Sequence, residues 1–262
     1  MGAVYDTIGR TYDRTRRADS RILDGVVDHL GLPSGARLLD VGCGSGNYTI
    51  ALRTRGFSMV GVDISEHMLR SARSKVTDIQ WDHGDACALS YPDGMFEGVV
   101  SILATHHISD LESAFAEMYR VLEPGGRVVL FTSSPQQMRA FWLNHYLPSV
   151  VVVSERAMRS YEDLEKDLYE AGFSNVRQAP FFVDDSLEDW FLHCGKYRPE
   201  LYLDPVVRAG ISTFALHERS DLLEQGLAQL AFDIESGQVD EVIRRYENDG
   251  GDFLFVAADK RL

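Results

Sequence analysis

Residues 38–49 read LLDVGCGSGNYT: an apolar run, an aspartate, then glycines at 42, 44 and 46. A short apolar run bounded by turn residues is the pattern of a buried strand. Glycines behind it allow a tight turn and let a ligand approach the backbone closely. A helix starting there, over NYTIALRTRG, aims its first N–H groups at the same ligand.

The rhythm continues on both sides. Upstream, SRILDGVVDHL spaces Ile22, Leu23, Val26, Val27 and Leu30 as a helix, with Ser20 as its expected cap. Downstream, FSMVGVDIS is a second strand ending in Asp63, and SEHMLRSARSK a helix capped by Ser65. DIQWDHGDACAL holds a third strand with Asp85 just beyond it. FEGVVSILATHH is a fourth, ending in His106 and His107. LESAFAEMYRVLEPGG is a helix stopped at Pro124 and Gly125, and RVVLFTSS is a fifth strand. Apolar strands alternating with helices predict an α/β fold with a mostly parallel sheet covered on both faces.

The expected organisation is a helical cap over 1–33, a cofactor-binding Rossmann-like core over 34–134, and a helical lid segment over 135–172. Strand six follows over 173–183, a helical insertion covering the substrate over 184–250, and a terminal strand over 251–262. The insertion is too long for a plain loop in a compact domain.

The chain has 262 residues and a net charge of -14, from 26 Lys+Arg against 40 Asp+Glu. Nucleic-acid binders carry a basic footprint, so this balance argues against DNA or RNA. No apolar run approaches the ~20 residues of a membrane span, and the N-terminus does not read as a signal peptide. Three cysteines without a CxxC point to the reducing cytoplasm and against a disulfide scaffold or zinc ribbon. No metal is expected, since adjacent residues such as His106 and His107 make a poor chelating pair.

Gly42, Gly44, Gly46, Asp63, Asp85 and the two histidines all fall at the carboxyl ends of strands, where doubly wound sheets bind ligands. The dinucleotide fingerprint GxGxxG is broken, because Asn47 stands where the third glycine belongs. An aspartate ending strand two suits ribose hydroxyls of NAD and of other adenosine cofactors alike.

LLDVGCGSGNYT resembles the first motif, (D/E)xGxGxG, of the class I S-adenosylmethionine-dependent methyltransferases. GVDISEHML, HGDACALSYPDGMFEGVVS and RVLEPGGRVVLF are similar to later segments of that family's small-molecule, ubiquinone/menaquinone-methyltransferase-like branch. The resemblance spans about residues 34–132. It implies a seven-stranded sheet whose last strand, GDFLFVAADK here, runs antiparallel, and S-adenosylmethionine as cofactor. It further implies that Asp40 anchors the methionine end, that Gly42, Cys43, Gly44 and Gly46 line the cofactor, and that Asp63 takes the ribose hydroxyls. Ile64 would lie on the adenine face, Asp85 and the Ala86 amide at its edge, and Leu103 along the methionine. Tyr5 and Tyr12 resemble aromatics that close over cofactor and acceptor.

Methyl transfer needs alignment and exclusion of water, and a base when the acceptor is a hydroxyl. His106 and His107 stand where the methyl should lie and titrate in the right range. ILATHHIS replaces the (N/D)PP(Y/F) of enzymes acting on nucleobase amines or protein amides, and the cysteines are too few for arsenic methylation. The acceptor is therefore expected to be a small molecule methylated at a hydroxyl or carboxylate oxygen, with nitrogen and carbon open. Candidate walls are Arg139, Trp142 and Tyr146 in QQMRAFWLNHYLP, and Lys196 and Arg198 in HCGKYRPELYLDPVVR, which also holds His193 and Arg208. The rival readings are an NAD(P)-dependent oxidoreductase and a non-catalytic cofactor-binding regulator.

Overall fold

The computed structural model describes residues 12–215 and 220–262. Tyr5 lies outside them. Seven strands form one sheet: β1 (Arg37–Val41), β2 (Ser58–Asp63), β3 (Gln80–His83), β4 (Phe96–Ile102), β5 (Leu122–Thr132), β6 (Ser174–Phe181) and β7 (Phe253–Asp259). Their order is β3-β2-β1-β4-β5-β7-β6. Six strands are parallel, and β7 runs antiparallel between β5 and β6. The order reverses between β1 and β4. At such a switch point the connections leave in opposite directions and open a crevice at the strands' carboxyl ends.

The main helices are α1 (Ser20–Leu30), α2 (Asn47–Thr54), α3 (Glu66–Lys75), α4 (Leu111–Val121), α5 (Pro148–Ala157), α6 (Tyr161–Glu170), α7 (Asp221–Ser236) and α8 (Val239–Arg245). They cover both faces of the sheet. On one face α4 and α6 bury Phe115, Met118, Leu164 and Leu168. On the other, α1 buries Ile22, Val26 and Leu30 together with residues 138–151 and the segment between β6 and β7. That segment is fastened by its own core: Tyr202, Phe214 and Leu230 are almost wholly buried, as is Trp142 from the 138–151 stretch. At ~1.5–3 kcal/mol per large apolar side chain, it is an integral wall of the molecule rather than a loose flap. Among the described residues between β6 and α7 it is largely irregular, with short helical turns at Pro199–Leu203, Pro205–Ala209 and Ser212–Ala215.

Three boundaries differ from expectation for local reasons. Asp19, not Ser20, caps α1, its Oδ1 accepting from the N–H groups of Arg21 and Ile22. α4 ends at Val121, three residues before Pro124, because Leu122 already pairs with Phe96 at the start of β5. β4 stops at Ile102 because Leu103 takes φ +54°, a left-handed conformation that no strand continues through. His106 and His107 therefore sit in a 3₁₀ turn, Thr105–His107, beyond the strand rather than on it.

Candidate functional site

The glycine loop closes over the end of β1 with φ +76°, +54° and +80° at Gly42, Gly44 and Gly46. Packing leaves no room for side chains at two of them. A Cβ on Gly42 would stand 2.5 Å from the Ala104 Cβ, and one on Gly46 2.4 Å from the Trp81 ring. The loop is then locked to β2. Gly42 and Cys43 both donate to the Val62 carbonyl, at 2.9 and 3.1 Å. The Asp63 carboxylate accepts from the Gly44 N–H through Oδ2 and from the Ser65 N–H through Oδ1, each at 2.8 Å.

Two neighbours complete this end of the sheet. Ile64, between those anchored amides, is 56% exposed. Asp85 is exposed beyond β3, its Oδ1 taking the Cys87 N–H at 2.9 Å, with Ala86 half-buried beside it. His83, which no motif singles out, bonds the Ile64 carbonyl through Nε2 at 3.0 Å. A half-buried carboxylate able to accept hydrogen bonds, an exposed aliphatic face and a loop with glycine at three positions together fit a nucleoside.

Asp40 is 2% exposed, and its Oδ2 accepts the Thr49 hydroxyl at 2.6 Å. Burial pushes its carboxyl up to about 7, against the lowering by that hydrogen bond and with help from the nearby charge of Asp63. A carboxyl held so far from its ordinary range gains from a cation placed against it.

At the end of β4 a cavity of about 150 Å³ opens, bordered by Leu103, His106, His107 and Arg16. Met138, Met158, Phe191 and Phe253 give it apolar walls. Leu103, in its left-handed conformation, forms part of the wall; a bulky side chain held there is a sign of local strain. The His106 Nδ1 is buried with no hydrogen-bond partner among the described residues. Burial, then the charges of His107 and Arg16, hold the His106 imidazole well below its ordinary range. His107 keeps an exposed edge, and burial and then Arg16 lower it to a lesser extent. Both rings are neutral at physiological pH.

Sequence reasoning missed the group that frames this cavity. Arg16 is buried, its Nε and Nη2 donating to the two carboxylate oxygens of Asp189 at 2.5 and 3.2 Å. The Tyr48 hydroxyl donates to Asp189 at 3.2 Å and accepts the Asp19 N–H at 3.3 Å. Tyr12 lies under the Arg16 guanidinium, 4.9 Å from it. Apart from Tyr12, nothing local marks these residues, which lie as far as 173 positions apart.

The expected acceptor walls lie elsewhere, and none of them borders this cavity. Arg139 is half-exposed in an ion pair with Glu155. Trp142 is buried with its indole N–H on the Lys196 carbonyl at 3.0 Å, and the Tyr146 hydroxyl is held by Asp233 at 2.7 Å. Lys196 pairs with Asp252 at 2.7 Å, Arg198 donates to the Leu187 carbonyl at 2.9 Å, and Arg208 donates to the Tyr202 carbonyl at 2.6 Å. His193 is wholly buried against Phe141, ring centroids 3.8 Å apart, and burial with Lys196 lowers it to about 3, so it carries no charge. Among the described residues no cluster of His, Cys, Asp and Glu could hold a metal ion, and no helix is long and apolar enough to cross a membrane.

Comparison with known proteins gives a consistent picture. A family profile described as a methyltransferase domain matches residues 39–130. A demethylmenaquinone methyltransferase of Staphylococcus aureus is 31% identical over 208 residues, covering 68% of this chain and 86% of the relative. A solved structure from Anabaena variabilis, provisionally described as a methyltransferase of an antibiotic biosynthesis pathway, superposes with a TM-score of 0.84. It is 35% identical, with 93% of this chain and 98% of that one covered. The phosphoethanolamine N-methyltransferase 2 of Haemonchus contortus, solved with S-adenosyl-L-methionine, shares the fold at 18% identity and a TM-score of 0.62, over 100% of this chain and 61% of its own.

Proposed function

This chain belongs to the class I S-adenosylmethionine-dependent methyltransferases, and from that premise we propose that it methylates an oxygen of a small-molecule acceptor held in the cavity beside His106 and His107. What supports the reading is the meeting, at the β1/β4 switch point, of a carboxylate, aliphatic face and glycine loop that fit a nucleoside with an apolar cavity.

In this reading Asp63 holds the ribose hydroxyls while its two backbone bonds fix its orientation. Ile64 covers the adenine, Asp85 and Ala86 meet the adenine edge, and Tyr12 closes over the cofactor from the N-terminal side. Gly42, Cys43, Gly44 and Gly46 give the methionine portion room, with Asp40 as its anionic anchor. Leu103 separates the cofactor from the acceptor cavity. The bound cofactor supplies a methyl on a sulfonium and leaves as a neutral thioether. The protein's work is alignment and dryness: apolar walls exclude water, and two neutral imidazoles hydrogen-bond the acceptor oxygen without adding charge. A reducing cytoplasm suits Cys43, Cys87 and Cys194, all free thiols.

Calorimetric titration with S-adenosylhomocysteine, run beside NADH, tests the cofactor assignment. The expected outcome is micromolar affinity for the first and none for the second. Asp63→Ala is expected to weaken S-adenosylhomocysteine by roughly 10–100-fold, since a charged hydrogen-bond acceptor contributes about 1.5–3 kcal/mol. Unchanged affinity in that variant would remove Asp63 from the ribose.

A further inference from the structure

Among the described residues, the walls of the cavity carry one charged group, and it is a cation. Among the described residues that border it are one arginine, two histidines, three hydroxyl side chains and no carboxylate, in a chain with 40 Asp+Glu. Of the two members of the Arg16–Asp189 ion pair, the cavity is bordered by the cation and not by the carboxylate. The Tyr48 hydroxyl, itself held by the Asp19 N–H, keeps that carboxylate in place.

Resting on the methyltransferase reading, we propose that the acceptor is a carboxylic acid carried on a compact apolar body about the size of one ring, and that Arg16 is the residue that selects it. The size follows from the space, because an apolar cavity of roughly this volume takes up benzene. Phe191, Phe253 and the sulfurs of Met138 and Met158 suit a flat or aromatic body. The charge follows from Arg16, since a guanidinium at an apolar wall favours a carboxylate, while an ammonium would meet repulsion. Ser154, Ser212 and Thr213 add hydroxyls to the same cavity.

The chemistry suits the neutral histidines. The carboxylate oxygen supplies the electron pair of the new O–CH₃ bond, and the pair of the breaking S–CH₃ bond stays on sulfur. Anion and sulfonium become a neutral ester and a neutral thioether, and no proton moves. The site then needs no strong base. That agrees with imidazoles held well below their ordinary range, with Arg16 among the causes in both.

The test uses ring compounds of one size and different charge: benzoate, phenol, benzyl alcohol and benzylamine. Binding of each to the full chain saturated with S-adenosylhomocysteine is measured by calorimetry, and methyl transfer by product analysis with S-adenosylmethionine. Benzoate is expected to bind and to yield methyl benzoate, with a rate flat from about pH 6 to 9 because a carboxyl is ionised throughout. Arg16→Gln is expected to raise the KM for benzoate by roughly 10–100-fold, with the KM for the cofactor little changed, and Arg16→Lys to restore part of it. Preference for phenol, with a rate rising about tenfold per pH unit below its ionisation near 10, would overturn the carboxylate. So would preference for the alcohol or the amine. If S-adenosylhomocysteine binds and benzoate does not, the one-ring acid is wrong and the methyltransferase reading stands. If S-adenosylhomocysteine itself fails to bind, the underlying reading falls instead.

Discussion

Asp189→Ala is expected to destabilise the chain by about 3–5 kcal/mol, the cost of leaving a buried charge without its partner. Asp189 is 1% exposed, and it takes both contacts from the Arg16 guanidinium. It also takes the Tyr48 hydroxyl, which in turn receives the Asp19 N–H at the start of α1. One carboxylate therefore ties the residues before α1 to α2 and to the segment after β6. The damage should be local in cause and global in effect, because Trp190 docks through its N–H on the Thr15 carbonyl beside the same pair. Urea unfolding with a shared slope reads the loss directly. The double variant Arg16→Met/Asp189→Leu should recover most of it, since a buried ion pair replaced by apolar groups of similar volume is often neutral. A loss under about 1 kcal/mol in Asp189→Ala would mean that water reaches the guanidinium and that Arg16 is not the desolvated cation argued for the cavity.

The network also marks the limit of what the sequence could convey. The core over 34–134 was legible because its signals are local: apolar strands buried on both faces, a glycine loop, and aspartates at or just beyond strand ends, Asp63 closing β2 and Asp85 two residues past β3. The antiparallel β7 was legible only through the family resemblance. Boundaries failed where neighbours compete, as with Asp19 and Ser20, both competent to cap α1. The end of β4 was hidden because nothing in ILATHH announces a left-handed leucine. Along the chain, the candidate acceptor walls stand out as clusters of cations and aromatics. In the fold, those cations meet carboxylates or carbonyls outside their own cluster: Lys196 finds Asp252, and Arg198 finds the Leu187 carbonyl. Arg16, in TYDRTRR, is one of three arginines in a short span, and only tertiary structure distinguishes it from Arg14 and Arg17, which are exposed.

Asp40 offers the second large effect, and its sign follows from where its proton goes. The folded chain keeps the Asp40 proton to about pH 7, whereas the unfolded chain loses it near the ordinary value of 3.8. Between those values the folded state binds the extra proton, so this group's contribution to stability falls as pH rises from about 4 to 7 and stays low above. At 1.36 kcal/mol per pKa unit the full loss is roughly 4 kcal/mol. Asp40→Asn removes the titration while its amide oxygen can still accept the Thr49 hydroxyl. Without cofactor, the variant should match the parent near pH 4 and exceed it in denaturant midpoint at pH 8. Cofactor binding should move the opposite way. If Asp40 anchors the cationic methionine end, as proposed, binding drives its ionisation and releases a proton. The affinity of the parent for S-adenosylhomocysteine should then rise with pH, by up to about tenfold per unit, until Asp40 is ionised near pH 7. The binding heat should depend on the buffer's ionisation enthalpy in the parent and not in Asp40→Asn. Equal pH slopes in the two proteins, in both stability and affinity, would show that Asp40 is ionised in the unliganded fold and that the anchor lies elsewhere in the loop.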